Sequence, residues 1–383
     1  MVPSIKIFNP NLALIGETDL AESIRFSRSW QYFGELEAVF PFDAALLEMI
    51  YKDRIITIGK DERKAYIITG IIPKEDEDGA RITVHGHHLD AFTDRRITLA
   101  HGGEANLGYC NVPALTYVGE IVSPVSAETI YKEYVRRCMT EPEDTYRTIP
   151  RLTITADQQR GMQTKWMSLG EKLSDVFQSI GEYTDTGYVI AFDFVNRLFR
   201  FDISLGHNLT TDQTQNRPVI FGLEFASIKS LEHNTDTSNC RNVAYAAGAG
   251  EGFDRSVFKC CGGDAEPTGI SRREVWMDCG NLPILESEEE IGLETEALHR
   301  LKDFADTDEI TFEASNMGAF VYGADYDLGD LVTIRSRKLN LTVNRRITKI
   351  EEIYSQKEIS LLITVGKSSD RMDRKIKKYI RNT

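Results

Sequence analysis

The stretch that decides the fold runs from Leu223 to Arg255, LEFASIKSLEHNTDTSNCRNVAYAAGAGEGFDR. Leu223, Phe225, Ile228 and Leu231 are apolar and mostly alternate with polar or small residues, the period of a half-buried strand. His233 to Asn242 then gathers Asn, Asp, Thr and Ser, whose side chains hydrogen-bond their own backbone and favour turns. Val243 and Tyr245 resume an extended pattern, and Gly248, Gly250 and Gly252 close it, where the backbone takes positive φ at little cost. The stretch therefore reads as strand, polar turn, strand, glycine-rich turn. None of these residues has to be catalytic.

On the N-terminal side, residues 1–98 read as one β-rich unit. Ile24 to Trp30 alternates, and Gly34 to Phe42 follows as its hairpin partner. Ala44 to Ile50 is a short apolar helical turn; Arg54 to Ile58, Ala65 to Ile72 and Arg81 to His87 are three further strands. Strands at roughly 8–12-residue spacing suit a small antiparallel barrel or sandwich. Residues 99–214 change to α+β. Ala127 to Met139 and Leu169 to Gly181 have apolar positions at helical spacing, with Ser126 as a cap and Gly181 as a stop. A hairpin, Gly187 to Phe194 and Arg197 to Ile203, turns at Val195-Asn196.

From 215 the chain is β again, as 215–283 and 309–367. Between them 284–308 holds an acidic amphipathic helix, Glu286 to Phe304, with Ile291, Leu298 and Leu301 on one face. Tyr51 to Gly70 and Asp330 to Thr348 share the order strand, Gly-Asp turn, charged strand, a hint of a duplicated barrel. The residue pattern thus predicts a mainly β protein with an α+β insert and a helical insertion.

A length of 383 residues suits about two to four domains. Hydrophobic content of 41% and charged content of 27% are those of a folded protein. No apolar run approaches the ~18 residues of a membrane span, and the N-terminus lacks the pattern of a signal peptide. A net charge of −14 repels phosphate and argues against general nucleic-acid binding. The end, 368–383, is a basic tail, with Arg371, Arg374, Lys375, Lys377, Lys378 and Arg381. It suits either a solvated helix end or docking on an acidic neighbour or on nucleic acid. Six irregularly spaced cysteines without a CxxC pair read as reduced thiols of a protein made in cytosol.

Chemistry-bearing motifs are weak. His85-Gly86-His87-His88 invites a metal, but on a strand only His85 and His87 share a face, and ordinary strand-end histidines fit as well. Cys260-Cys261 lacks a second pair in sequence. Gly248 to Gly252 lacks the lysine of a phosphate loop and carries Glu251 instead. No nucleophile elbow or Cys–His signature occurs, so no catalytic, cofactor or metal residues are assigned.

Ser238 to Gly248 (SNCRNVAYAAG), followed by Gly250, Gly252 and Arg255, resembles the "kNvayvaG-G-g-gR" segment of siphophage-type minor tail proteins, the N-terminal hub region of tail-associated proteins. Tyr51 to Ile58 with Ala65 to Ile71 resembles the hairpin of that family. Gly86 to Arg96 resembles its "G.dl..ll.rR" segment, with Arg95 and Arg96 at the family's arginine.

The resemblance implies a baseplate or tail-tip hub of a phage, prophage or phage-like injection system. It implies a homotrimer in which each chain supplies two tube-type antiparallel β-barrels. The first is 1–98; the second is 215–283 with 309–367. A ring of six barrels would then join a sixfold tail tube to a threefold tip. Implied partners are a tail tube or distal tail protein and a tip, spike or tape-measure protein, with DNA passing through the lumen without specific binding. The implied location is the virion tail, after synthesis in the host cytoplasm. Arg95, Arg96, Asn242, Gly248, Gly250 and Arg255 become structural and assembly residues, and the basic tail a dock for a spike or tip partner. No lysin or peptidase domain is expected. The competing readings are a β-rich cell-wall hydrolase of a tail tip, with its site in 99–214, and a plain binding module.

Overall fold

The computed structural model describes residues 2–77, 79–100, 110–112, 123–168, 170–250, 252, 255–263, 265–280, 293–294, 297–298, 300–301, 304, 306–315, 318–356 and 358–367. The chain forms two compact units, 1–231 with 311–365 and 232–310 with 366–383. It enters the second unit within one strand, leaves it within another and returns to it at Gly366, within the last strand.

The first unit opens with strands β1 (Ile5–Phe8), β2 (Leu14–Thr18), β3 (Ser23–Ser29) and β4 (Glu35–Pro41). Helix α1 (Ala44–Met49) follows, capped by Asp43, whose Oδ1 accepts from the Leu46 N–H at 3.0 Å. Strands β5 (Ile55–Ile58), β6 (Ala65–Asp76) and β7 (Gly79–His88) complete the order β3-β4-β7-β6-β5-β1-β2. The expected strands are present. β6 and β7 run further than expected because their distal halves pair beyond the core, from Ile72↔Thr83 to Asp76↔Gly79. Ile5, Ile7, Phe26, Phe40, Tyr66 and Val84 lie in the core beneath them.

The α+β insert packs on the opposite face of β1, β5 and β6. It holds β8 (Cys110–Val112), β9 (Val125–Ser126), α2 (Ala127–Val135), β10 (Leu152–Ile154), β11 (Gln163–Thr164) and β12 (Trp166–Ser168). Then come α3 (Leu173–Thr184) and the hairpin β13 (Gly187–Asp193) and β14 (Leu198–Ser204). Ser126 caps α2 as expected, its Oγ accepting from the Thr129 N–H at 3.1 Å. Phe8, Ile55 and Ile67 share one core with Tyr131, Phe177 and Phe192 of the insert. Phe8 meets Phe192 edge-on at 4.8 Å.

Gly181 does not stop α3. The helix runs one turn further and ends at Asp185, which takes the left-handed conformation at φ 55°. Gly181 is instead a point of close approach: a Cβ there would lie 2.6 Å from the Thr186 carbonyl oxygen and 2.9 Å from the Tyr131 hydroxyl.

The chain continues through β15 (Asn208–Leu209), β16 (Ile220–Phe221) and β17 (Ile228–Asp236). Leu223–Phe225 is a 3-10 turn rather than the start of a strand, and β17 reaches into the run expected to be a turn. The reason is exposure: after Ile228 most β17 side chains face solvent, where Asn, Asp and Thr are tolerated on a strand. The true turn is shorter, closed by Cys240 N–H donating to the Thr237 carbonyl at 3.1 Å.

In the second unit β18 (Val243–Ala247) is the centre of a three-stranded sheet, antiparallel to β19 (Val257–Cys261) and parallel to β20 (Glu274–Asp278). Ala244, Ala246, Cys260 and Met277 pack on the helical residues Leu293, Ala297 and Leu301. The buried stripe therefore runs 293-297-301, and Leu298, expected on it, is 36% exposed. Ile291 and the rest of 281–292, and the basic tail 368–383, lie outside the described residues.

The chain returns through β21 (Thr307–Ala314), β22 (Leu331–Ser336), β23 (Leu341–Ser355) and β24 (Ile359–Lys367). Here the two β regions of the chain meet. β23 pairs antiparallel with β3, from Lys349↔Ser29 to Ser355↔Ser23, so that first and last strands belong to one large sheet. Trp30, just past β3, is wedged at this seam. A Cβ on Gly187 would lie 2.5 Å from its indole, and one on Gly329 1.9 Å from it. Gly187→Val therefore displaces Trp30 and lowers stability by about 1–3 kcal/mol, seen as a reduced urea midpoint at unchanged m-value.

Candidate functional site

Among the described residues, the most buried charges lie in two paired networks of the first unit. The first crosses the β3–β23 seam. Arg28, only 5% exposed, donates from Nη2 to Asp327 Oδ1 at 2.5 Å and to the Tyr322 hydroxyl at 2.6 Å. Arg63 Nη1 reaches Asp327 Oδ2 at 2.5 Å, and its Nε reaches Asp61 Oδ1 at 3.0 Å. Burial alone would raise the Asp327 carboxyl; the Arg28 and Arg63 guanidiniums outweigh it and hold the group below its ordinary value. Next to this, Lys64 Nζ lies 2.6 Å and 2.8 Å from the two Glu352 oxygens and 5.2 Å from the Tyr322 ring centre. A cleft of about 250 Å³ beside it is walled by Phe320, Tyr322, Tyr326 and Tyr354. Its carboxylate, Glu352, is already occupied by Lys64, so among the described residues no free acid–base pair faces it.

The second network lies under α2. Glu128 is fully buried and accepts from Lys132 Nζ at 2.5 Å, Arg160 Nε at 2.9 Å and the Arg160 N–H at 2.9 Å. Arg160 continues to Asp202 at 2.6 Å. Burial would raise the Glu128 carboxyl, but the bonds from Arg160 and Lys132 pull it down to about 2.

The histidine run divides as the strand period requires. His85 and His87 face outward opposite Glu37 and Glu35, and His85 Nδ1 stands 3.8 Å from Glu37 Oε2. They border a groove of about 310 Å³ with Arg25 and Glu351. His88 points inward, its Nε2 donating to the Arg63 carbonyl at 2.7 Å and its Nδ1 2.8 Å from Asp90. Asp90 in turn accepts the Ile190 N–H at 2.6 Å, tying the β sheet to the insert. Among the described residues no group of three or more His, Cys, Asp or Glu has metal-holding geometry. None of their helices is long and apolar enough to cross a membrane.

The six residues singled out by sequence fall in two places. Arg95 donates to Asp53 at 2.9 Å, and Arg96 donates from Nε to the Arg147 carbonyl at 2.9 Å, both in the first unit. The other four clamp the ends of β18. At its start, Asn242 donates to the carbonyls of Arg273 (2.9 Å) and Ser271 (2.7 Å) and accepts from the Arg273 N–H at 2.8 Å. At its end, Arg255 Nε donates to the Gly248 carbonyl at 2.9 Å, and its Nη2 bonds Asp278. Gly250 takes φ 100°, which favours glycine; Glu251 lies outside the described residues.

Sequence reasoning missed Arg28, Asp327, Glu128 and Arg160. One signal was available: Ile24, Phe26, Arg28 and Trp30 share the inward phase of one alternating strand, and Arg28 is the charged member.

A family model described as siphovirus ReqiPepy6 Gp37-like protein matches residues 4–367. Among solved structures, the 43 kDa tail protein of prophage MuSo2 from Shewanella oneidensis aligns at 12% identity and TM-score 0.54, over 96% of this chain and 99% of that one. The tail protein from Neisseria meningitidis MC58 aligns at 10% identity and TM-score 0.50, over 97% and 98%. At these identities the likeness establishes the fold. Comparison with curated proteins gives no match.

The Glu128 network makes stability pH-dependent in a defined direction. The folded carboxyl lies near 2, below its ordinary 4.5, so its stabilisation is complete above that ordinary value and is lost as pH falls toward 2. Glu128→Gln should lose roughly 3 kcal/mol at neutral pH. In urea melts across that acid range its stability should also decline less with falling pH than the parent's.

Proposed function

We propose, from the premise that this chain belongs to the siphovirus ReqiPepy6 Gp37-like protein family and is a structural protein of the phage tail, that it is the hub of the tail tip. In this reading three copies close into a ring, and each supplies two barrel-like β regions. The ring carries six such regions toward a sixfold tube and three copies of everything else toward a threefold tip. In this reading the chain is a structural component of the virion, and its described residues offer no site that favours the hydrolase reading.

The observation that carries the proposal is the β3–β23 seam. A ring of six equivalent regions from three chains needs the two regions of one chain held in a fixed relation. Antiparallel pairing from Lys349↔Ser29 to Ser355↔Ser23, with Arg28 and Trp30 locked beneath it, supplies such a relation. We take residues 1–98 as the first barrel region. The second is drawn from strands of 208–231 and 311–365, with 232–310 as the unit inserted into it. The sequence boundaries 215–283, 284–308 and 309–367 are redrawn accordingly.

The partners that fit are a tube or distal tail protein on one face of the ring and a tip, spike or tape-measure protein on the other. The basic tail 368–383 is offered to the latter. A net charge of −14 suits a lumen that lets DNA pass without holding it. Arg95 and Arg96 in the first unit, with Asn242, Gly248, Gly250 and Arg255 in the second, act in this reading as rigid supports of the assembled form.

Light scattering of the purified chain tests the reading. A particle of three chains that persists on dilution is the expected result. A monomer at every concentration, or a stable assembly whose copy number is not a multiple of three, would overturn it.

A further inference from the structure

The second unit carries an exposed surface away from the β3–β23 seam. One face of its three-stranded sheet is buried on Leu293, Ala297 and Leu301. On the other face Val243 and Ala247 are covered, but Tyr245 is half-exposed and Lys259 and Trp276 are exposed, and the register places Lys259, Tyr245 and Trp276 side by side in one row across β19, β18 and β20. Trp276 is 58% exposed. Of the three tryptophans in the chain, Trp30 is buried and Trp166 half-buried, so Trp276 alone presents most of its indole to solvent.

The rim of this row is polar, fixed and neutral. Arg272 donates to Glu274 at 2.5 Å, to Glu266 at 2.7 Å and to the Tyr245 hydroxyl at 2.9 Å. Lys259 donates to both oxygens of Glu266, at 2.7 and 2.9 Å. Two cations and two carboxylates thus neutralise one another around an aromatic floor. An anionic or cationic ligand would have to compete with these pairs. An uncharged, hydroxyl-rich one would not: carboxylates keep spare lone pairs and guanidinium keeps its planar donors.

We propose that this face binds a neutral oligosaccharide. The C–H face of a pyranose packs on the Trp276 indole and the neighbouring Tyr245 ring, apolar surface against apolar surface. Its hydroxyls bond Glu266, Glu274 and Arg272, whose mutual contacts hold them in place beforehand, so little ordering is lost on binding. The site stands within the second unit and is independent of the trimer reading.

The test is an array of neutral hexopyranose oligosaccharides, chitohexaose and maltohexaose among them, with a heparin hexasaccharide as the charged control. It is probed with the full chain, and the affinities of parent and variants are measured by isothermal titration calorimetry, with tryptophan fluorescence followed in the parent. At least one neutral oligosaccharide should bind and perturb the fluorescence, and the heparin fragment should not. Trp276→Ala should weaken binding roughly tenfold or more, as expected for loss of an aromatic anchor; Trp276→Phe should stay within about threefold of the parent. Both variants should keep the parent's melting temperature and solution mass, since the side chain is exposed. Failure of every neutral glycan, stronger binding of heparin, or unchanged binding by Trp276→Ala would overturn the proposal.

Discussion

The first unit depends on one constraint: β3 and β23, more than three hundred residues apart in sequence, must pair in a single register. Such closure carries a large loop entropy that local contacts cannot offset. The pairing from Lys349↔Ser29 to Ser355↔Ser23 meets it with backbone bonds. The buried contacts of Arg28 with Asp327 and Tyr322 add a condition that a slipped register cannot satisfy. A one-residue slip would turn Arg28 to the other face and leave Asp327 with Arg63 alone. Buried ion pairs contribute little net stability against apolar replacements, so we assign this one to selection of register. Trp30, seated on Gly187 and Gly329, extends the same condition to the insert and to the turn before β22.

Around that seam the molecule places its chemistry in support of structure. Glu128, Asp90 and Asp327 are each surrounded by donors from distant segments: Arg160 for Glu128, Ile190 for Asp90, Arg28 and Arg63 for Asp327. Each removes a carboxylate from water only by satisfying it. This is the pattern of a part that must keep its shape, in keeping with a structural protein of the tail. The second unit is built differently, with a small core and an exposed Trp276 on its sheet.

Much of the first unit was legible in the sequence because its strands alternate cleanly. Ile24 to Trp30, Gly34 to Phe42 and the three strands to His87 need only the period of two, and the same period separates His85 and His87 from His88. The helix of the insert was visible from spacing, but not its end. Gly181 reads as a stop by composition, yet its value lies in tertiary contact with Thr186 and Tyr131, which no local pattern encodes. β17 was misjudged for a related reason: polar residues on an exposed strand look like a turn when strand partners are unknown. The stripe Leu293, Ala297, Leu301 was masked by the small Ala297, which fills a close contact with little hydrophobic signal. The separate sheet of β18–β20 could not be read at all, since a parallel pairing such as Val243↔Glu274 has no signature in sequence. Arg28 is the charged residue on the inward phase of β3, a signal present in the sequence, but its partners Asp327 and Tyr322 lie some three hundred residues away and have no local mark.

The central claim is that the first and last β regions of the first unit form one cooperative sheet. Native-state hydrogen exchange of the full chain measures this directly. The account predicts that amides paired across the seam in β3 and β23 exchange only through the largest opening of the unit, with the same dependence on denaturant. If β23 amides exchange through a smaller, separate opening while β3 stays protected by β4, the seam is not cooperative and the account is contradicted.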